Sequence, residues 1–248
     1  MSGDAEKTPV SPLVNQSAFV LGYTGEVGKE VVKELAARNP FSRVVLIGRR
    51  QVEYEDKTLA GLTQSVVDFE KLDDHADVFK NLDVGFCCLG TTRGKAGAVS
   101  NSTSSTLTIS VLQPDGFVRV DHDYVMQSAK LAKAQGCKQF HVVSSQGASK
   151  DSSFLYPKVK GEVEEELKSV GLLLCDRTER RPFESVGRFL MRPVAALFPT
   201  VGSVPTSIVA RAMVQMARDA TGHPGVTTLE NKDIHRVAGE AKQTQSTQ

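Results

Sequence analysis

Tyr156 and Lys160 stand four residues apart, a short way downstream of Ser144-Ser145. On a helix that spacing brings the phenol and the ammonium onto one face. A tyrosine has an ordinary pKa of about 10, and a neighbouring ammonium favours its phenolate, so proton exchange with a substrate oxygen becomes feasible nearer neutrality. Ser144 would hydrogen-bond that same oxygen, with Ser145 as the alternate. A set of this kind can hand a proton to a carbonyl oxygen while a hydride arrives from a neighbouring cofactor. The same Tyr/Lys spacing also occurs as an ordinary surface pair, so its meaning depends on what precedes it.

What precedes it is Gly22-Tyr23-Thr24-Gly25-Glu26-Val27-Gly28. The apolar run Ala18-Phe19-Val20-Leu21 stops at Gly22, and Val27, Val31, Val32 and Leu35 then recur at helical spacing, which reads as strand, glycine turn and helix. There Gly22 permits the tight turn, Gly25 lets backbone N–H groups approach a pyrophosphate, and Gly28 allows close packing of helix on strand. The helix N-terminus adds the positive end of its dipole. Thr24, Glu26 and Val27 complete this cradle.

A second apolar run, Val44 to Ile47, ends at Gly48-Arg49-Arg50. An NAD-preferring site carries an acid at this place, on the ribose 2'-hydroxyl, whereas two guanidiniums attract a 2'-phosphate. The expected cofactor is therefore NADPH. Asp68-Phe69 is placed to flank the adenine and Leu89-Gly90 to touch a ribose, although Asp68 could equally cap a helix starting near Asp73. Lys160 could hold the nicotinamide ribose as well as act on Tyr156.

Elements must position these groups. Val66-Val67, Val84 to Gly90 and Phe140 to Val143 read as further buried strands. Leu72, Ala76 and Phe79 mark one helix, Val118 to Ala132 a longer one, and Val159, Val163 and Leu167 another. Nearly continuous apolar strands alternating with helices predict an α/β, Rossmann-type doubly wound parallel sheet with helices on both faces and ligands beyond the carboxyl ends of the strands. Val170 to Cys175 is the expected sixth strand, Ile208 to Ala217 a helix and Val226 to Leu229 a last strand. One domain over residues 17–240 is expected, with disordered ends at 1–16 and 241–248. The Ser/Thr-rich stretch 99–115 reads as a surface insertion in which Leu107 to Leu112 could form an edge strand.

A chain of 248 residues with 40% hydrophobic content can bury a full core. Its 30 basic and 29 acidic side chains leave a net charge of +1, no electrostatic case for nucleic acid or an anionic membrane. A small-molecule partner is the better expectation. Cys87, Cys88, Cys137 and Cys175 form neither a disulfide framework nor a CxxC pair and read as reduced, mostly buried thiols. His122, His141 and His223 lack partners at metal-ligand spacing. With no apolar run of signal-peptide or membrane-spanning length, a cytoplasmic chain, also nuclear in one reading, is expected.

With these residues assembled, the chain resembles the extended and atypical short-chain dehydrogenase/reductase superfamily over most of residues 18–235. The resemblance is carried by Gly22 to Gly28, Leu46 to Arg50, Val67 to Asp74, Gly116 to Asp121, Phe154-Leu155-Tyr156 with Val159 to Val163, Leu173 to Arg177, and Leu229 to Lys232. Its most specific segment is Cys87-Cys88-Leu89-Gly90-Thr91-Thr92-Arg93-Gly94. It implies an NADPH-binding Rossmann protein in which Tyr156, Lys160 and Ser144 take the roles above and Leu173 and Arg181 join the cofactor site; a monomer is expected. The substrate would be an unidentified carbonyl compound. Similar proteins are described as proapoptotic tumour suppressors that engage nuclear-transport receptors and affect transcription, which implies a rival, non-catalytic role as an NADPH-dependent sensor. Against the family pattern residues 99–115 are extra, and a stretch that includes the sixth strand is shortened between Lys168 and Gly171. Val170 to Cys175 would have to slide into that place, drawing Arg181 away from the nicotinamide.

Overall fold

The structure, a computed structural model, describes residues 16–60, 62–91, 114–171, 174–177, 204–219 and 227–239. In chain order these form β1 (Ser17–Leu21), α1 (Glu26–Arg38), β2 (Arg43–Gly48), α2 (Lys57–Ala60), β3 (Thr63–Val66) and α3 (Phe69–Phe79, wound as 3-10 turns). Then come β4 (Val84–Cys87), α4 (continuous through Pro114–Val118, Arg119–Asp123 and Tyr124–Ala134), β5 (Gln139–Ser144) and α5 (Leu155–Val170). β6 (Leu174–Arg177), α6 (Thr206–Asp219), β7 (Thr228–Leu229) and α7 (Asn231–Val237) complete the series. Each strand pairs parallel with its neighbours in the order β3-β2-β1-β4-β5-β6-β7.

β1 explains why the central strands are apolar throughout. Ala18 and Val20 face one layer, with Val31 and Leu35 of α1 and Val209 and Met213 of α6. Phe19 and Leu21 face the other, with Phe79, Val125 and Ala129 of α3 and α4 and Val163 of α5. A strand covered on both sides gains from apolar residues at every position, roughly 1.5–3 kcal/mol for each large side chain removed from water.

Strand order reverses between β1 and β4, and that switch point opens a crevice at the carboxyl ends of both. The glycine loop leaves β1 there, and Leu89-Gly90-Thr91 leaves β4 beside it.

Several expected boundaries move. The third strand is Thr63–Val66 rather than Val66-Val67, and Val66 is exposed. Paired with β2 alone among the described residues, it is an edge strand and carries polar residues that give no apolar run. Asp68 caps the turn at once, its Oδ1 accepting from the Glu70 N–H at 3.0 Å, rather than a helix starting near Asp73. The end of the expected insertion, Pro114-Asp115, already belongs to α4.

At the sixth position the sheet is not interrupted. Val170 ends α5, and Gly171 closes the helix in the left-handed conformation at φ 67°. Leu174–Arg177 then pairs with β5 and Cys175-Asp176 with β7. The substitute strand thus lies later in the chain than the expected Val170 to Cys175, because α5 keeps Val170 for its own last turn. Residues 1–15 and 92–113, Leu173, Arg181, His223 and the tail 241–248 lie outside the described residues, as does the postulated strand Leu107 to Leu112. Among the described residues no helix is long and apolar enough to cross a membrane.

Candidate active site

The cradle after β1 is built by close backbone approach. Gly22 adopts φ 73°, and a Cβ there would sit 2.4 Å from the Cys88 carbonyl oxygen. At Gly28 a Cβ would meet the Gly22 carbonyl oxygen at 2.2 Å, so α1 reaches the turn only because this residue has no side chain. Gly25, the N-cap of α1, offers no side-chain cap, and the first backbone N–H groups of the helix lack intrahelical partners. Tyr23 fastens the cradle to β2, its hydroxyl donating to the Arg50 carbonyl at 2.5 Å. These features fit a dinucleotide pyrophosphate: backbone donors, a positive helix end, and space that any larger residue would fill.

Beyond β2 and β3 the side chains of Arg49, Arg50 and Asp68 are exposed, while Phe69 is buried. Glu70 stands among them. It accepts from the Tyr124 hydroxyl and pairs with Arg119 at 3.3 Å. Burial and then Glu70 push the Tyr124 phenol up, against the pull of Arg119 and Arg49. Spacing had singled out neither Glu70 nor Arg119, since their contact spans 49 residues.

The expected catalytic residues stand on α5 and at the end of β5. Tyr156 is half-buried on the first turn of α5, its ring 5.7 Å from that of Phe117. One turn on, Lys160 is only 5% exposed, and its Nζ lies 3.1 Å from Asp121 Oδ1, in a residue 1% exposed. Asp121 Oδ2 accepts from the Thr91 backbone N–H at 2.8 Å and its hydroxyl at 2.7 Å. Burial pulls the Lys160 ammonium down, but Asp121 and Tyr156 outweigh it and hold the group above its ordinary value.

Of the two serines, Ser144 donates its hydroxyl to Glu164 Oε1 at 2.6 Å, wholly inside the protein. The Ser145 hydroxyl is buried and has no hydrogen-bond partner among the described residues. Glu164 was legible in principle, since Tyr156, Lys160 and Glu164 recur every four residues along one face of α5. Asp121 carried no local signal: it is joined to the site by a π-helical turn at Arg119–Asp123.

The histidines serve other ends. His122 bridges Asp123 at 2.8 Å and Glu166 at 2.9 Å, and His141 is buried against Phe86. Cys87 and Cys137 are buried free thiols, both pushed up to about 12 by burial, and Cys88 is half-buried. Among the described residues no group of three or more His, Cys, Asp or Glu is arranged to hold a metal ion.

A sequence profile described as NAD(P)H-binding matches residues 22–171, a span that runs from the glycine cradle through Tyr156 and Lys160 to the end of α5. The chain belongs to this NAD(P)H-binding family. Within it, the chain is 49% identical over 230 residues to protein HTATIP2 of Rattus norvegicus, covering 89% of this chain and 88% of that protein. It is 31% identical over 186 residues to protein fmp52-1, mitochondrial, of Aspergillus terreus, covering 70% and 74%. Its fold is shared with an oxidoreductase of the short-chain dehydrogenase/reductase family from Burkholderia thailandensis, at TM-score 0.59 and 16% identity over 87% of this chain and 90% of that one. A second solved structure, MoeE5 in complex with UDP-glucose and NAD, aligns at TM-score 0.56 and 16% identity over 91% and 82%. The family member described here is thus an NAD(P)H-binding, oxidoreductase-like Rossmann protein.

Proposed function

We propose that this chain is an NADPH-dependent reductase of a small carbonyl compound, with Tyr156 as the proton donor. The observation that carries the reading is the buried Lys160–Asp121 pair beside Tyr156, at the same end of the sheet as the glycine cradle. Bound NADPH would supply the hydride.

The chain's own residues do the rest. Tyr156 gives its proton to the carbonyl oxygen and regains one afterwards, with the Lys160 ammonium stabilising the phenolate in between. A carbonyl oxygen needs a donor to orient it. The Ser144 proton is committed to Glu164, so Ser145 takes the orienting role that spacing assigned first to Ser144. Arg49 and Arg50 favour a 2'-phosphate over a bare 2'-hydroxyl. For the wider setting, the superfamily resemblance supports partners among nuclear-transport receptors and transcription-related proteins in cytoplasm and nucleus, while the fungal relative carries a mitochondrial designation.

Two measurements test this reading. Thermal unfolding with NADPH or NADH reads cofactor choice, because a ligand at one hundred times its dissociation constant adds about 2.7 kcal/mol. NADPH oxidation is then followed against a panel of aldehydes and ketones. The expected result is turnover that Tyr156→Phe abolishes while cofactor binding survives. A wild-type chain that binds NADPH but oxidises none of it across the panel would favour the sensor role instead.

A further inference from the structure

We infer that Asp121 is a positioning residue for this site: its carboxylate, locked by Thr91, holds the Lys160 ammonium in place and charged beside Tyr156. The inference rests on the reductase reading for its kinetic consequence only.

The burial of the pair first demands a reason. A buried ion pair is a poor source of stability, since apolar residues of similar volume often serve as well or better. Here both partners are buried just beneath Gly90, at the carboxyl end of β4: a Cβ on that glycine would stand 3.3 Å from Asp121 Oδ1 and 3.7 Å from Lys160 Nζ.

The carboxylate is divided between two tasks. Oδ2 is filled by the two Thr91 donors, which fixes its orientation. Oδ1 lies 3.1 Å from Lys160 Nζ, so the charge of the carboxylate acts directly on the ammonium. The ammonium is thereby anchored by the charge of a carboxylate whose orientation is already fixed.

The backbone supports the same reading. Asp121 lies in the π-helical turn Arg119–Asp123, a feature that inserts a residue into a helix and redirects its side chains. His122, the next residue, reaches Glu166 on α5 at 2.9 Å. Two consecutive residues of α4 thus hold α5 at Lys160 and again further along at Glu166, which fixes one helix against the other.

The groups that face Lys160 are Asp121 from α4, Tyr156 from its own helix and Cys87 from β4. Cys87, a thiol pushed up to about 12, is neutral at working pH. With Asp121 neutralised, burial would outweigh what remains, and Lys160 would lose its proton at a lower pH.

The experiment compares the wild type with Asp121→Asn, measuring NADPH affinity and the rate of NADPH oxidation across neutral to alkaline pH. In Asp121→Asn the alkaline fall of affinity is expected to move down by roughly one pH unit or more, with turnover following it and recovering at lower pH. Alkaline limbs that coincide in the two proteins would overturn the inference. A limb that shifts in affinity while neither protein oxidises NADPH supports the inference and removes the reductase reading. Should Asp121→Asn not fold, the Lys160 ammonium is titrated in the wild type by NMR of 13C-labelled lysine, assigned as the signal missing from Lys160→Arg. Titration above the ordinary lysine value of about 10.4 supports the role, and titration below it overturns it.

Discussion

The Ser144 hydroxyl donates to Glu164 Oε1 at 2.6 Å, tying the end of β5 to the middle of α5. A hydroxyl engaged inside the protein serves structure first. Ser144→Ala would leave a buried carboxylate short of a donor, and the expected loss of stability is about 1–3 kcal/mol, read from urea unfolding midpoints. Ser145→Ala removes a hydroxyl with no partner among the described residues, so its stability is expected to stay near that of the wild type while its turnover falls. If Ser144→Ala instead stops turnover without loss of stability, the two roles are exchanged.

Within the glycine cradle two positions separate folding from cofactor binding. Gly28→Ala places a Cβ 2.2 Å from the backbone oxygen of Gly22, which cannot yield without moving the turn, and a cost of about 1–3 kcal/mol is expected. At Gly25 the nearest contact of a Cβ is the same oxygen at 3.3 Å, a tight but tolerable approach. Gly25→Ala is therefore expected to fold with near-normal stability and to lose NADPH affinity, because the new methyl takes space beside the helix N-terminus. Thermal unfolding with and without NADPH distinguishes the two variants.

Arg49 and Arg50 are exposed at the end of β2, so their removal should cost little stability. A charge-assisted contact to a 2'-phosphate is worth about 1.5–3 kcal/mol, or roughly a tenfold to hundredfold change in affinity. Arg49→Ala/Arg50→Ala is expected to weaken NADPH by that factor and leave NADH nearly unchanged, as titration calorimetry would read. Equal weakening of both cofactors would place these arginines away from the 2'-phosphate.

His122 adds a pH dependence. Burial lowers its pKa, but hydrogen bonds to Asp123 and Glu166 outweigh that and raise it above the ordinary value of about 6.5. A raised folded-state pKa means that stabilisation is fully present below the unfolded value and is lost as pH rises through the folded one. The stability gap between wild type and His122→Ala should therefore be widest in mildly acid buffer and close toward alkaline pH. Urea midpoints collected across that range check it, and a gap that widens with pH would contradict it.

Local chemistry by itself determined the frame of this protein. Ala18 to Leu21 and Val44 to Ile47 are apolar at every position because a parallel strand is buried on both faces, and that signal survives without any knowledge of neighbours. The three glycines of the cradle and the Tyr156/Lys160 pair were equally legible, each being a constraint written within one turn or one helix. Tertiary structure decided the partners. Asp121 meets Lys160 across 39 positions and Ser144 meets Glu164 across 20, contacts that no period in the chain encodes. Leu174–Arg177 serves as a strand because β5 and β7 present open ladders on either side of it, while α5 runs on to Gly171 and claims Val170. Helical and strand periods are properties of neighbouring residues, but charge pairing and sheet filling depend on which surfaces the completed topology brings together.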